Sequence, residues 1–423
     1  MSDITTKTCC RLCGSKQLEL AVNIAASPIA DAYVSREELH KPQALFPLDL
    51  YLCMECGHIQ NLHVVEPDLL FKEYTFLTSN FKGLVEHFEA YSRDIVSTFS
   101  LREGMLAVEI GSNDGTFLLN LRAEGLRTIG VDPSTAAAAL ANQRGIKTLE
   151  AYFTDALARE IRAEHGKAAL VVANNVFAHT DDLNGVAGAV ETLLDEDGVF
   201  VFEVSYLGDI IEGFFFDTVY HEHVSYHSIK PLVGFFKRHG LEMFDIVRNR
   251  SKGGSIRCFV KRILNHKHPV SPVVSEFLRR ETETGLANLE TFVNFDRAIL
   301  AKKAETNALI NSMKMQGKSI AGYGASTTVT TLLWHFELND KLAFLVDDNP
   351  VKQNLFSPRS HLEVLPSSEL VNRAVDFTVI LAWNYAAKII DNNKAYLERG
   401  GRFIIPLPAL TVFPPLAASR PTV

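Results

Sequence analysis

Two cysteine pairs near the start, "CCRLCG" and "YLCMECG", constrain the fold of this chain more than any other feature. Cys10 and Cys13, and Cys53 and Cys56, share a two-residue gap and a following glycine. Four thiolates at that spacing complete a tetrahedral zinc shell, so the site is expected to be structural and not hydrolytic. Residues 14 to 52 intervene, which is longer than a compact zinc ribbon allows and requires a small subdomain to loop out. Disulfides fit a reducing cytosol poorly, and a redox dithiol would not need two copies. Cys9 lacks the gap to Cys13 that Cys10 has.

The second constraint is "LAVEIGSNDGTFLLNLRAEGLRTIGVDPS", Leu106 to Ser134. It reads as a buried strand, a glycine turn, a helix stopping at Gly125 and a second strand ending in an acid, the opening of a nucleotide-binding βαβ unit. Gly111 and Gly115 let backbone approach a ligand but do not spell G-x-G-x-x-G, which disfavours a dinucleotide. An adenosyl group with a smaller tail fits better. Glu109 and Asp114 can meet an ammonium, Asn113 lies in the turn between them, and Asp132, about 20 residues after Gly111, can take two ribose hydroxyls. S-adenosylmethionine (SAM) answers that description. Farther on, Phe153 is placed to flank an adenine, and Asn174, Asn175 and His179 follow the strand "AALVVA", where an open parallel sheet binds its ligands.

A chain of 423 residues with 47% hydrophobic and 22% charged residues is long enough for two or three globular domains. The net charge of -8 and pI near 6.0 leave no basic footprint for nucleic acid. No apolar run approaches the roughly 18 residues of a membrane span, and "MSDITTK" lacks a signal peptide's hydrophobic region. A cytoplasmic enzyme with neither nucleic-acid nor membrane partners is expected.

"TVYHEHVSY", Thr218 to Tyr226, concentrates proton-handling side chains. If extended, it puts His221 and His223 on one face and Tyr220 and Glu222 on the other; a turn would relax this. "RNRSKGGSIRCFV" offers Lys252, two glycines and Arg257 as a cradle for phosphate, with Arg257 able to pair bidentately. After a proline-marked boundary near "NHKHPVSPVV", Val274 to Met315 reads as charged helix. "GKSIAGYGASTTVTTLLWHF" then opens a second Rossmann-like unit, with Asp347 about 20 residues past Gly324. Its loop, carrying Gly322, Gly324 and Ser326, is expected to approach a substrate's diphosphate or sugar. A nicotinamide site is the other reading, and it lacks the third glycine in register.

The order of the two cysteine pairs, "EYTFLTS", "VEIGSNDG", "NNVFAH", "YHEH", "KGGSIR" and "GYGAS" resembles the SAM-dependent sugar C-methyltransferases that act on nucleotide-linked deoxysugars, the group containing the tetronitrose and mycarose C3-methyltransferases. The resemblance spans essentially the whole chain. It implies an α/β architecture: a zinc-binding domain over 1–72, a Rossmann-like SAM-binding methyltransferase domain over 73–270, and a Rossmann-like C-terminal domain over 271–423 that helps enclose a nucleotide-sugar substrate. It implies SAM as cofactor, a structural zinc ion, and a monomer. Its active-site group falls on Tyr74, His179, Tyr220, Glu222 and His223. Where this chain has Lys252 the family usually has histidine.

Chemistry explains why such residues are wanted. A sugar carbon becomes nucleophilic beside a carbonyl, so a 4-keto sugar deprotonated at C3 is the natural acceptor. A histidine can serve as the base and tyrosine hydroxyls can hold the enolate oxygen. His223 is expected as base, with Glu222 and His179 orienting it and Tyr220 and Tyr74 supporting the enolate. A histidine base serves a non-sugar carbon or a hydroxyl acceptor equally well, so the acceptor stays open on chemistry alone.

Overall fold

Leu84, Phe88, Tyr91 and Ile95 recur at helical spacing, and Lys82–Thr98 is accordingly a helix (α1) with that face turned inward. The computed structural model that contains it describes residues 3–72, 76–249 and 251–416, and of Lys252 only the backbone. Tyr74 and the Lys252 side chain therefore lie outside the described residues.

The chain divides into two compact units. The first comprises Met1–Glu19, Tyr51–Asp209 and Val224–Leu289; the second comprises Leu20–Leu50, Ile210–His223 and Glu290–Val423. The stretch between the cysteine pairs does loop out, and residues 20–50 group with the C-terminal elements.

The first unit is built on seven strands: β1 Leu106–Ile110, β2 Arg127–Asp132, β3 Thr148–Glu150, β4 Ala168–Asn174, β5 Leu194–Ser205, β6 Leu241–Asn249 and β7 Ser255–Arg262. They run in the order β6-β7-β5-β4-β1-β2-β3. β1 to β5 are parallel, and β7 is antiparallel to both its neighbours. The chain leaves β1 toward β2 and returns on its other side as β4, so the carboxyl ends of β1 and β4 open the crevice at which such sheets bind ligands. α1 and α2 (Thr116–Ala123) cover one face of this sheet. Phe117 meets Phe88 edge-on at 5.2 Å and Tyr91 at 4.8 Å, over Leu170, Val172 and Val201. Truncating Phe117 to alanine should cost about 3–5 kcal/mol. Beside the sheet, Ile59–Asn61 pairs antiparallel with Ser225–Tyr226, and Ile4–Thr6 with His63–Val65.

The second unit holds six strands, β8 Ile320–Tyr323, β9 Leu345–Val346, β10 Val364–Leu365, β11 Phe377–Ile380, β12 Arg402–Ile405 and β13 Thr411–Phe413, in the order β10-β9-β8-β11-β12-β13. All are parallel except β13. The helix α3 (Leu289–Met315) precedes β8, and α4 (Thr327–His335) follows it. This is the second Rossmann-like opening expected from "GYGAS". Among the described residues, no helix is long and apolar enough to cross a membrane.

Candidate active site and its zinc knuckle

The four cysteine sulfurs lie within 4.8 Å of one another, with Cys10 and Cys56 3.6 Å apart and Cys13 and Cys53 3.5 Å apart. Zn–S bonds of ~2.3 Å set the edges of a tetrahedron at roughly 3.8 Å, so the donor set fits zinc. Hydrogen bonding from the Cys56 thiol pulls Cys10 down to about 5, while Cys56 is pushed up. One thiolate is thus favoured before any cation arrives.

The loop after β1 is fixed by the acid that ends β2. Gly111 N–H donates to Val131 O at 2.7 Å and Asn113 N–H to Asp132 Oδ2 at 2.8 Å; Asp132 Oδ1 accepts from Ser134 N–H at 2.9 Å. Gly111 has φ +66°, and a Cβ there would meet the Val176 side chain at 2.3 Å, so only glycine fits. Asn113 (φ 50°) and Asn175 (φ 56°) are also left-handed, at the carboxyl ends of β1 and β4. Strain of this kind gathers at binding sites.

Asn113 and Asp114 have a task other than the one their sequence context predicts. Asn113 receives Thr78 N–H at 2.9 Å and donates to Phe76 O at 2.9 Å, and Asp114 accepts from Ser79 N–H at 3.0 Å and from the Thr116 hydroxyl at 2.7 Å. Both side chains tie down residues 76–80, just after Tyr74. Burial works to raise Asp114, yet these bonds and Arg144 hold it below the usual range. With its oxygens so engaged, Asp114 is a poor partner for an ammonium.

Glu109 and Asn174 are different. Asn174 Nδ2 donates to Glu109 Oε1 at 3.1 Å, while Glu109 Oε2 and Asn174 Oδ1 are buried with no hydrogen-bond partner among the described residues. Two unpaired acceptors side by side suit a cation with several N–H groups. Burial pushes the Glu109 carboxyl well up despite the Asn174 bond. Phe153 is buried beyond β3. The paired acceptors beside the Gly111 turn suit the amino group of a SAM molecule, while each Asp132 oxygen already accepts one backbone N–H and keeps a lone pair for a further donor.

Arg257 departs from expectation. Its Nε and NH2 donate to Glu203 Oε2 at 3.1 and 3.0 Å, and its guanidinium lies 3.3 Å from the Tyr91 ring centre. Both donors converge on one oxygen of the protein's own carboxylate, so a buried Arg257 is not offered to phosphate. Glu203 also accepts from His87 Nε2 at 2.8 Å and Asn249 Nδ2 at 3.0 Å. Sequence reasoning passed over this cluster. Its one signal was a lone glutamate in the apolar strand "GVFVFEVSY".

His179 follows β4 in a turn closed by its N–H on Val176 O at 2.8 Å. The Phe71 ring stacks on it at 5.8 Å and 17°. Ala178 O accepts from Val224 and Ser225 N–H at 3.0 and 3.1 Å, and Phe177 O is bonded by His227 Nε2 at 3.1 Å. The residue before His179 is thus tied to the chain that follows His223.

In the second unit, Tyr220 to His223 form a turn closed by His223 N–H on Tyr220 O at 2.9 Å. The turn removes the alternation expected of an extended segment. Tyr220 Oη is 2.9 Å from His223 Nε2, and His223 Nδ1 is 2.8 Å from Thr218 O. Glu222 and His223 are half-buried. His221 is instead buried, donates from Nε2 to Phe46 O at 3.2 Å, and is lowered by burial to about 4. A neutral, enclosed imidazole is structural, which separates the two histidines of "YHEH". The turn is anchored by Trp383 Nε1, which donates to Asp217 Oδ2 at 2.8 Å, and by Thr331 Oγ1, which donates to Val219 O at 2.6 Å.

Around the second glycine loop, Ala325 N–H donates to Asp347 Oδ2 at 2.6 Å and Asn349 N–H to Oδ1 at 2.8 Å, repeating the way Asp132 holds Asn113. A Cβ on Gly322 would meet Leu345, Leu342 and Leu381 at 2.6–2.9 Å, so this glycine is required by packing within the sheet. Gly324 (φ 118°) makes the turn, and Ser326 is exposed at the start of α4.

Comparison with known proteins matches three consecutive segments whose bounds differ from those of the two compact units. Residues 10–71 match a zinc binding domain, 84–246 a methyltransferase domain and 250–408 the C-methyltransferase C-terminal domain. The C-methyltransferase NovU of Streptomyces niveus is 36% identical over 400 residues, covering 94% of this chain and 95% of that one. Among solved structures, a SAM-dependent methyltransferase from Clostridium acetobutylicum is similar at 16% identity over 42% of this chain and 92% of its own, with a TM-score of 0.35. Magnesium protoporphyrin IX methyltransferase from Synechocystis with bound SAH is similar at 14% identity over 43% and 83%, with a TM-score of 0.34.

Proposed function

Because the chain belongs to the SAM-dependent C-methyltransferases, we propose that it methylates a nucleotide-linked 4-keto-deoxysugar, dTDP- or GDP-activated, at C3 through an enolate. The observation that carries this reading is the Tyr220–His223 pair. Nδ1 of His223 donates to Thr218 O, which leaves Nε2 as the basic nitrogen. A base oriented by a backbone carbonyl, with a phenol on its lone pair, is what removal of a proton beside a ketone requires.

His223 Nε2 takes the C3 proton of the acceptor, and the electron pair of the broken C–H bond moves into the enolate. The Tyr220 hydroxyl, released from Nε2, donates to the enolate oxygen. SAM, when bound, supplies an electrophilic methyl on a sulfonium and needs no metal to activate it. Glu109 and Asn174 hold an ammonium through their unpaired oxygens, Asp132 meets the ribose hydroxyls, and Phe153 flanks the adenine. His179, Glu222 and Tyr74 carry the supporting roles given by the family resemblance. The Gly324–Ser326 turn is our choice for the substrate's diphosphate; Arg257 is not, since Glu203 holds it.

The test is incubation with methyl-labelled SAM and a panel of dTDP- and GDP-linked 4-keto-6-deoxysugars in deuterated water. Label on sugar carbon, with deuterium entering C3 and both lost in His223→Ala, is the expected result. Label on oxygen, or no sugar labelled despite SAM binding, would remove the proposed acceptor.

A further inference from the structure

We infer that Arg11 is a positioning residue for methyl transfer: from inside the zinc knuckle it grips Asp181 and thereby fixes the loop that carries His179. The inference rests on the reading that places His179 in the reaction.

Arg11 stands between two of the metal-binding cysteines, Cys10 and Cys13, yet it is only 4% exposed. Its Nε donates to Asp181 Oδ1 at 3.0 Å, and its NH1 donates to Gln60 Oε1 at 3.2 Å and to Asn61 O at 2.5 Å. Lys7 reaches the other Asp181 oxygen at 2.7 Å. The backbone is gripped in return, since Asn184 Nδ2 donates to Arg11 O at 2.7 Å. The knuckle and the segment 181–184 are therefore joined by both side chain and main chain.

A knuckle needs only four sulfurs and a tight backbone to hold its metal. Burying a guanidinium there gains little stability over an apolar side chain, because the desolvation of the charge offsets the attraction. What a buried guanidinium bonded to three different partners does supply is a fixed geometry, with Nε on Asp181 and NH1 on Gln60 and Asn61. The geometry fixed here is that of a short loop. Asp181 lies two residues after His179, Thr180 Oγ1 folds back onto Val176 O at 3.2 Å, and Phe71, also within the zinc-binding segment, stacks on the imidazole. The zinc module thus bears on the ring from two sides, by charge at Asp181 and by stacking at Phe71.

Zinc-loaded Asp181→Asn and Arg11→Lys should each keep one zinc per chain and bind SAM within about twofold of the parent. Their kcat should fall about tenfold or more, with a smaller change in KM for the sugar nucleotide, and Asp181→Glu should recover part of the loss. With ring-labelled histidine, the NMR line assigned to His179 by its loss in His179→Ala should shift in Asp181→Asn, while that of His239 stays in place. Zinc lost in proportion to activity would reduce Arg11 to a structural support and overturn the proposal. An unmoved His179 line with unchanged kcat would overturn it as well. A shifted line with unchanged kcat would uphold the grip on the loop and overturn the placing of His179 in the reaction.

Discussion

Tyr220 Oη lies 2.9 Å from Nε2 of His223, with the two rings 4.0 Å apart between centroids. Because Nδ1 is occupied in donating to Thr218 O, the phenol is the donor to Nε2, and the basic nitrogen is covered before an acceptor arrives. The pair therefore acts as one device, in which freeing the base and delivering the hydroxyl are the same motion.

Tyr220→Phe removes the hydroxyl while leaving the ring stack. We expect kcat to fall roughly 10–100-fold, with deuterium exchange at C3 slowed in parallel and SAM affinity unchanged. Groups that act as a unit are not additive, so Tyr220→Phe with His223→Ala should be no slower than His223→Ala alone. A double variant slower by the product of the two single effects would show that the residues act separately.

Glu109 gives a pH dependence with a definite sign. Burial raises its carboxyl well above the usual range, which favours the neutral form in the free protein. Its stabilising contribution is complete below the unfolded value near 4.5 and is lost as pH rises toward the raised one. An ammonium between Glu109 and Asn174 favours the ionised form and reverses this. SAM binding should therefore release a proton and tighten as pH rises above the ordinary carboxylate range, which calorimetry in buffers of different ionisation enthalpy would detect. Glu109→Gln should flatten that dependence, weaken SAM by tenfold or more, and leave the unliganded protein at least as stable at pH 8. Equal SAM affinity in Glu109→Gln would exclude the paired-acceptor site.

How much of this was legible in the sequence depended on whether a residue's partner is local. The zinc ligands, the βαβ opening at Leu106 and the second one at Ile320 follow from spacing and periodicity, which act over a few residues. Arg257 and Asp114 illustrate the limit. Both were read as ligand-binding because they are polar and lie in or beside glycine-rich loops, whereas their carboxylate and backbone partners come from elements 54 and 35 residues away, respectively. The distinction between His221 and His223 was equally out of reach. It depends on Phe46 O, 175 residues distant, and no local pattern encodes that bond.

Metal removal should act on structure before chemistry. Four sulfurs held within 4.8 Å without an ion would repel as thiolates, so stripping zinc leaves them to take up protons and the knuckle to loosen. We expect one zinc per chain by elemental analysis, and a chelator or Cys53→Ser to lower the melting temperature by several degrees. The chelated protein should also expose about four additional thiols to a disulfide reagent. Retention of full stability after complete zinc loss would rule out a structural role for the ion.

The anchor of the Tyr220–His223 turn carries its own pH signature. Asp217 is buried and pushed up to about 7, chiefly by desolvation, with the Trp383 hydrogen bond pulling the other way. A carboxyl raised in the folded state contributes stability that is complete below its unfolded value, near 3.8, and is lost as pH rises through about 7. Asp217→Asn keeps an oxygen for the Trp383 N–H and removes the ionisation. Its melting temperature relative to the parent should therefore rise between pH 4 and 7, by several degrees in all, and level off above. Trp383→Phe should behave differently. It removes the indole donor from the buried carboxyl, so the protein should be less stable at every pH, and kcat should fall because Thr218 O and the His223 ring it orients lose their support. A flat pH dependence in Asp217→Asn would show that Asp217 is already ionised in the folded protein, and its bond to Trp383 would then be a charged one.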